Sequence, residues 1–317
     1  IQILSFPRVD TDYNSPFFNK AAIVADDNTI TWKDAKNEYY PALGIYDFFG
    51  VHIDDAGELT NAVVDDTEKT ISVDIVIDGS QDLMIAKADL TEAQKATMLS
   101  KASIEDSAEE SEKEAEWAKA FSSYAARRDI QPNLHFKHLL SRLKFNVLPA
   151  KAGAENVYIT SITATSKTKG TVVFVADEVS KMGLTIATDD NDAVALALQE
   201  KGTEAQLVAL DEDTYHPATY NDSGDQTSTP VGESLLLMPA GSYDLVISTK
   251  ENVGTDDADN ADWRTGTINK TITLPEGKTF DAGYSYNVDI VITNYEKNDI
   301  TATLQAWENG GTVIINP

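Results

Sequence analysis

Apolar and polar residues alternate with a period of two along much of the chain. Ile71, Val73, Ile75 and Ile77 take every second position before the turn residues Asp78-Gly79-Ser80, and Leu143, Phe145 and Val147 repeat the pattern. Side chains of an extended strand point to opposite faces in turn, so this spacing predicts strands with one buried face. Similar runs cover Val157 to Ile162, Thr171 to Val175, Leu235 to Met238, Tyr243 to Ile247, Ile268 to Thr273 and Tyr284 to Ile292. Near the start, Ile1 to Phe6 reads as a strand stopped by Pro7. Ala21 to Val24 and Thr29 to Trp32 flank the hairpin-turn residues Asp26-Asp27-Asn28, and the aromatic segment Ile45 to Val51 suits a core strand.

The period changes after Asp89-Leu90. Thr91 is a good helix cap, and the following stretch to about Arg128 is rich in Ala, Glu and Lys, with Trp117, Phe121 and Tyr124 at helical spacing and Glu109 and Lys113 as an i,i+4 pair. One or two helices are expected, with their aromatic face packed on the protein's own sheet. A second, short helix is expected at Ala193 to Gln199. Pro149-Ala150-Lys151-Ala152-Gly153 divides the chain into residues 1–148, carrying a helical insertion at about 91–128, and residues 149–317. Short alternating strands joined by Gly, Pro and Asp turns, without strand-helix alternation, predict a mainly β protein of antiparallel sandwiches and exclude a parallel nucleotide-binding sheet.

The final residues pose a question of partners. Ile300, Ala302 and Leu304 alternate, Trp307 follows, the chain breaks at Asn309-Gly310-Gly311, and Thr312-Val313-Ile314-Ile315 resumes as a β-branched strand. Such a strand either folds back as a hairpin or pairs with the open sheet edge of another molecule. Thr312, Val313, Ile314 and Ile315 are therefore the candidate donor strand and Gly310 and Gly311 its hinge. Val313 and Ile315 would present one face and Ile314 the other.

Composition narrows the choices. The 317 residues include 52 acidic and 25 basic side chains, a formal charge of −27, which repels nucleic acid and anionic membranes. No run approaches the roughly 18 apolar residues of a membrane-spanning helix. Cysteine is absent, which removes disulfides, thiolate catalysis and thiolate metal sites. No nucleophile elbow, phosphate loop or zinc-protease motif occurs, so neither an enzymatic activity nor a cofactor is expected. His135 and His138, at i,i+3 on a possible helix, lack a third ligand and sit among the apolar Phe136 and Leu139, so a structural role is expected. The acidic stretches 189–192 and 256–262 lack the glycine and distal glutamate of a twelve-residue calcium loop and read as surface loops. The long polar segment Asp211 to Gly232 suits either an exposed loop or a sugar- or protein-binding one, and Trp263 is the sequence candidate for an exposed aromatic platform.

Several segments together resemble the fimbrillins, the type V pilins of Bacteroidales. They are Tyr39-Tyr40-Pro41 followed by Ile45-Tyr46-Asp47-Phe48-Phe49, then Asp82-Leu83-Met84-Ile85-Ala86, Phe136 to Leu143, Leu237-Met238-Pro239-Ala240-Gly241 and Thr303-Leu304-Gln305-Ala306-Trp307. Tyr40 stands where that family more often has Trp. The resemblance implies two transthyretin-like β-sandwich domains and a lipoprotein precursor exported to a cell-surface fimbrium. It also implies removal of an N-terminal strand by cleavage after an arginine. The groove so opened, bordered here by Ile1, Ile3, Leu4 and Phe6, would accept the C-terminal strand of another fimbrial subunit. A tip or anchor subunit, or a surface glycan-binding lipoprotein, is the alternative, and a host protein or glycan is a further candidate partner.

Overall fold

The computed structural model describes residues 1–317 apart from 10, 25–29, 35, 37–42, 126–129, 190–192, 203–205, 255–261, 306–311 and 315–317. The first strands are β1 (Gln2–Pro7), β2 (Phe18–Val24), β3 (Ile30–Trp32), β4 (Tyr46–His52), β5 (Val63–Asp65), β6 (Thr70–Val76) and β7 (Met84–Asp89). Two helices follow, α1 (Glu92–Ala102) and α2 (Glu110–Ala118), then β8 (Asn133–His135), β9 (Lys137–His138) and β10 (Ser141–Pro149). The chain continues through β11 (Val157–Lys167), β12 (Lys169–Ala176), β13 (Gly183–Ile186), β14 (Ala193–Ala197), β15 (Gln199–Lys201), β16 (Leu207–Ala209) and β17 (Thr229–Leu237). It ends with β18 (Ser242–Asn252), β19 (Trp263–Thr273), β20 (Ser285–Asn294), β21 (Lys297–Gln305) and β22 (Thr312–Ile314). The Asp26-Asp27-Asn28 turn, Tyr39-Tyr40-Pro41, Trp307 and most of the acidic stretch 256–262 lie outside the described residues.

The protein is mainly β. The largest sheet runs β22-β8-β7-β4-β1-β2-β3, with β9 also on β7, and a second runs β13-β12-β6-β5. Two further four-stranded sheets are β17-β10-β20-β21 and β14-β11-β18-β19. Alternation places the expected residues inside. Ile71, Val73 and Ile75 of β6 and Leu143, Phe145 and Val147 of β10 share one core with Ile159, Ile162, Leu245 and Ile247, and also with Leu4, Phe6, Phe49 and Val51 of the largest sheet. Strand pairing crosses the expected division at 148/149, since β12 pairs with β6 at Val172↔Val73. Among the described strands one pair is parallel, β10 with β20, at Leu143↔Tyr286 and Phe145↔Val288.

The opposite face of the largest sheet carries a separate core, where Ile3, Phe18, Trp32, Phe48, Ala86, Ala88 and Leu134 meet Met98 and Phe121 of the helical insertion. Thr91 caps α1 as expected. Its hydroxyl accepts from Gln94 N at 3.2 Å while Gln94 Oε1 accepts from Thr91 N at 2.9 Å, a reciprocal capping box. Trp117 Nε1 donates to Lys95 O at 3.2 Å and ties α2 to α1.

Three expectations are corrected. Ala193–Ala197 is a strand and not a helix: it pairs with β11 from Thr163↔Ala197 to Lys167↔Ala193, and burial of Leu196 outweighs the helical preference of alanine. Lys113 bonds Asp106 O at 2.7 Å and lies 3.7 Å from Glu110, one residue from the expected partner, because Glu109 sits at the helix cap. His135 and His138 are on short strands and not on a helix, with His135 exposed and His138 buried 2.8 Å from Asp82 Oδ1.

Candidate strand-docking site

The site begins with what α1 does to the strand after it. Gln94, held by the capping box, donates from Nε2 to Gln131 O at 2.8 Å, and Asn133 Nδ2 lies 3.5 Å from its Oε1. The helix start is thereby fastened to the entrance of β8. On one side β8 pairs with β7, at Ala88↔Leu134 and Asp89↔Asn133. Leu134 is fully buried in the helix-side core, which fixes which face of β8 points inward.

The other side of β8 takes the terminal strand. β22 runs antiparallel to it at Thr312↔His135, Val313↔Leu134 and Ile314↔Asn133. The preceding strand, β21, belongs to a different sheet, where it pairs with β20 from Ser285↔Gln305 to Asn294↔Lys297. The terminal strand is thus not the second arm of a hairpin with β21. Three paired residues form a short ladder, and each backbone hydrogen bond contributes only about 0.5 to 1.5 kcal/mol net. The latch is therefore weak beside the eleven-residue pairing of β18 with β19.

Thr312, Val313 and Ile314 are placed by this pairing, whereas Ile315, Gly310 and Gly311 lie outside the described residues. Ile3, Leu4 and Phe6 belong to a strand that is not at an edge, and Ile1 directly precedes it. β1 is central, with four residues paired to β2 and six to β4. The Ile1 amino group donates to Ala22 O at 3.2 Å, and burial lowers its pKa below that of a free terminus. Sequence reasoning missed Gln94, Asn133 and Leu134. A capping-box pattern marks Gln94, but nothing local marks β8 as a receiving strand.

Beside β8 a groove of about 1100 Å³ opens between β7, the helices and the start of the chain, with His135, Lys87, Arg8 and Phe121 on its walls. Lys87 Nζ donates to Asp177 O at 2.9 Å and Ala176 O at 3.3 Å, and burial holds its pKa below the usual lysine value. Arg8 pairs with Asp47 at 2.6 Å, and its guanidinium stands 4.7 Å from the Phe121 ring centre. Among the described residues, no group of three or more His, Asp or Glu is placed to hold a metal. No helix there is long and apolar enough to cross a membrane.

No protein-family model and no curated protein matches the sequence. Among the solved structures to which the chain is similar are three proposed cell adhesion proteins. One from Bacteroides fragilis is 11% identical, with 98% of this chain and 85% of that chain covered and a TM-score of 0.37. One from Bacteroides eggerthii is 11% identical, covering 96% and 88%, with a TM-score of 0.40. One from Bacteroides ovatus is 9% identical, covering 83% and 88%, with a TM-score of 0.30.

Proposed function

We propose that the protein is a structural subunit of a cell-surface adhesive fibre, exported as a lipoprotein precursor, whose terminal strand joins it to the next copy. The observation that carries this reading is the pairing of Thr312–Ile314 with β8, in a sheet the preceding strand does not belong to. A contact made between a terminal strand and a remote edge within one chain can be made equally between two chains, with the same hydrogen bonds and the same register. The segmental resemblance to the fimbrillins supports the same reading.

A second acceptor is favoured by the position of β1. Arg8 directly follows it, so cleavage there would free a strand held on both sides and leave a gap between β2 and β4. An incoming strand with alternating Val313 and Ile315 would fill the places of Ile3 or of Leu4 and Phe6.

The test is electron microscopy of the purified protein before and after cleavage by an arginine-specific protease, with and without residues 311–317. Fibres should form from the full chain and be lost on truncation, while circular dichroism shows both chains folded. Normal fibres from the truncated chain would sink the proposal. Fibres appearing only after cleavage at Arg8 would select the gap left by β1 over the edge of β8.

A further inference from the structure

The β14-β11-β18-β19 sheet has one buried and one exposed face. Its inner side chains, among them Ile159, Ile162, Leu245, Ile247 and Ile272, are buried in the core. The alternate residues point outward and mix hydroxyl and charged side chains with apolar ones, among them Val246 and the alanines of β14. The register sets Ser161 beside Ser248 and Ser248 beside Thr267, with Thr163, Val246 and Asn269 as the next row and Asp244 beside Thr271 beyond it. Ser161, Ser248 and Thr267 thus form a floor of hydroxyl groups, bordered by the row Thr163, Val246 and Asn269.

One end of this floor is closed by aromatic rings. Tyr158, Lys250 and Thr265 form the last row across β11, β18 and β19. Trp263, two residues further along the same face, is 46% exposed. Its ring centre is 5.9 Å from that of Tyr158 at an interplanar angle of 69°, and Tyr158 in turn stands 5.1 Å from His216 at 57°. His216 arrives on the long polar loop after Asp211, which is strapped to β11 by the bond from Ile159 N to Tyr215 O at 2.7 Å. Lys250 Nζ is 5.0 Å from the Trp263 ring centre, 2.7 Å from Asp213 Oδ1 and 3.6 Å from Glu212 Oε2.

We propose that this corner, formed by Tyr158, His216 and Trp263 above the hydroxyl floor, is a binding site for a neutral carbohydrate. A pyranose ring has an apolar face of C–H groups and a rim of hydroxyls. The exposed part of Trp263 and the edge-on Tyr158 offer the apolar surface. Asp213, Glu212 and the serine and threonine hydroxyls offer acceptors and donors for the rim. Charge excludes the acidic glycans. Lys250 is already neutralised by two carboxylates, Asp244 lies on the same face, and the whole chain carries −27. An apolar protein partner is disfavoured by the charged groups around the rings, Lys250, Asp213 and Glu212. The site lies in a different sheet from β8 and β22, so strand docking leaves it available.

The experiment is to present the full chain to an array of neutral mannose-, galactose- and N-acetylglucosamine-terminated oligosaccharides together with their sialylated and sulfated forms, then to titrate hits by calorimetry. Neutral glycans should bind. Trp263→Ala and Tyr158→Ala should each weaken binding by about tenfold, the scale of one lost aromatic contact, and Trp263→Phe should retain most of it. Ser248→Arg places a long side chain on the floor without touching the rings, and should abolish binding while leaving thermal unfolding unchanged. It decides the matter if the aromatic variants misfold. The chain lacking residues 311–317 should bind as the full chain does, which separates this site from the strand-docking role. Binding confined to acidic glycans, no binding at all, or undiminished binding by both Trp263→Ala and Ser248→Arg would overturn the proposal.

Discussion

The Phe136 ring occupies the space in which a side chain on Gly50 would lie. A Cβ built on Gly50 would fall 2.9 Å from Phe136 Cε1 and closer still to Cζ. Gly50 is in the middle of β4, opposite Ile3 on one side and Ala86 on the other, so the backbone has no freedom to retreat. Gly50→Ala should destabilise the protein by about 1 to 3 kcal/mol, the usual cost of overpacking. Chemical denaturation measures it, and adding Phe136→Leu should recover part of the loss.

The reciprocal cap on α1 should be separable from the packing beneath it. Thr91→Ala is expected to cost about 1 kcal/mol in thermal or urea unfolding. Gln94→Ala should have an added, local effect, because Gln94 also holds Gln131 O at 2.8 Å. Hydrogen exchange at the amides of residues 133–135 should rise in Gln94→Ala more than in Thr91→Ala.

Acid should weaken the fold through particular carboxylates. His52 bonds Asp54 at 2.8 Å, and with the Asp82 amide at 2.9 Å it holds the Asp54 pKa below the usual aspartate value. The amides of Glu68 and Thr67 do the same for Asp65. A carboxylate whose folded pKa is depressed stabilises the fold above its unfolded pKa of about 4 and ceases to do so as pH falls through the folded value. Unfolding free energy should therefore drop below about pH 4. Asp54→Asn should flatten part of that slope in pH-dependent urea titrations.

Salt should act in the opposite sense to acid. At a charge of −27 the folded chain repels itself, and screening reduces that cost. The midpoint of thermal unfolding should rise between about 10 mM and 150 mM sodium chloride, where the Debye length shrinks from about 30 Å to 8 Å. Calorimetry at the two concentrations checks it.

How much of this was legible depends on whether the cause was local. Alternation alone located β6 and β10, and Thr91 announced α1, since both signals sit within a few residues. Ala193–Ala197 misleads because its alanines favour a helix, and only the distant β11 supplies the pairing that makes it a strand. The same holds for the aromatic corner. Trp263 stands out in the sequence, yet Tyr158 and His216 come from other elements and are gathered only by sheet register and loop path. The receiving role of β8 was invisible because a three-residue strand has no pattern of its own and an edge is a property of the sheet.

The parallel pairing of β10 with β20 has a consequence for assembly in time. β10 cannot complete its sheet until residues 285–292 have been synthesised, late in the chain. Until then the backbone edge of β10 that runs along Leu143, Phe145 and Val147 lacks its pairing partner on that side. Contacts so distant in sequence are slow to form, because the entropy of closing the intervening loop is lost before the contact rewards it. The nascent chain thus passes through a long interval with an open sheet edge, when stray pairing between chains competes with folding. Its heavy negative charge keeps such chains apart during that interval.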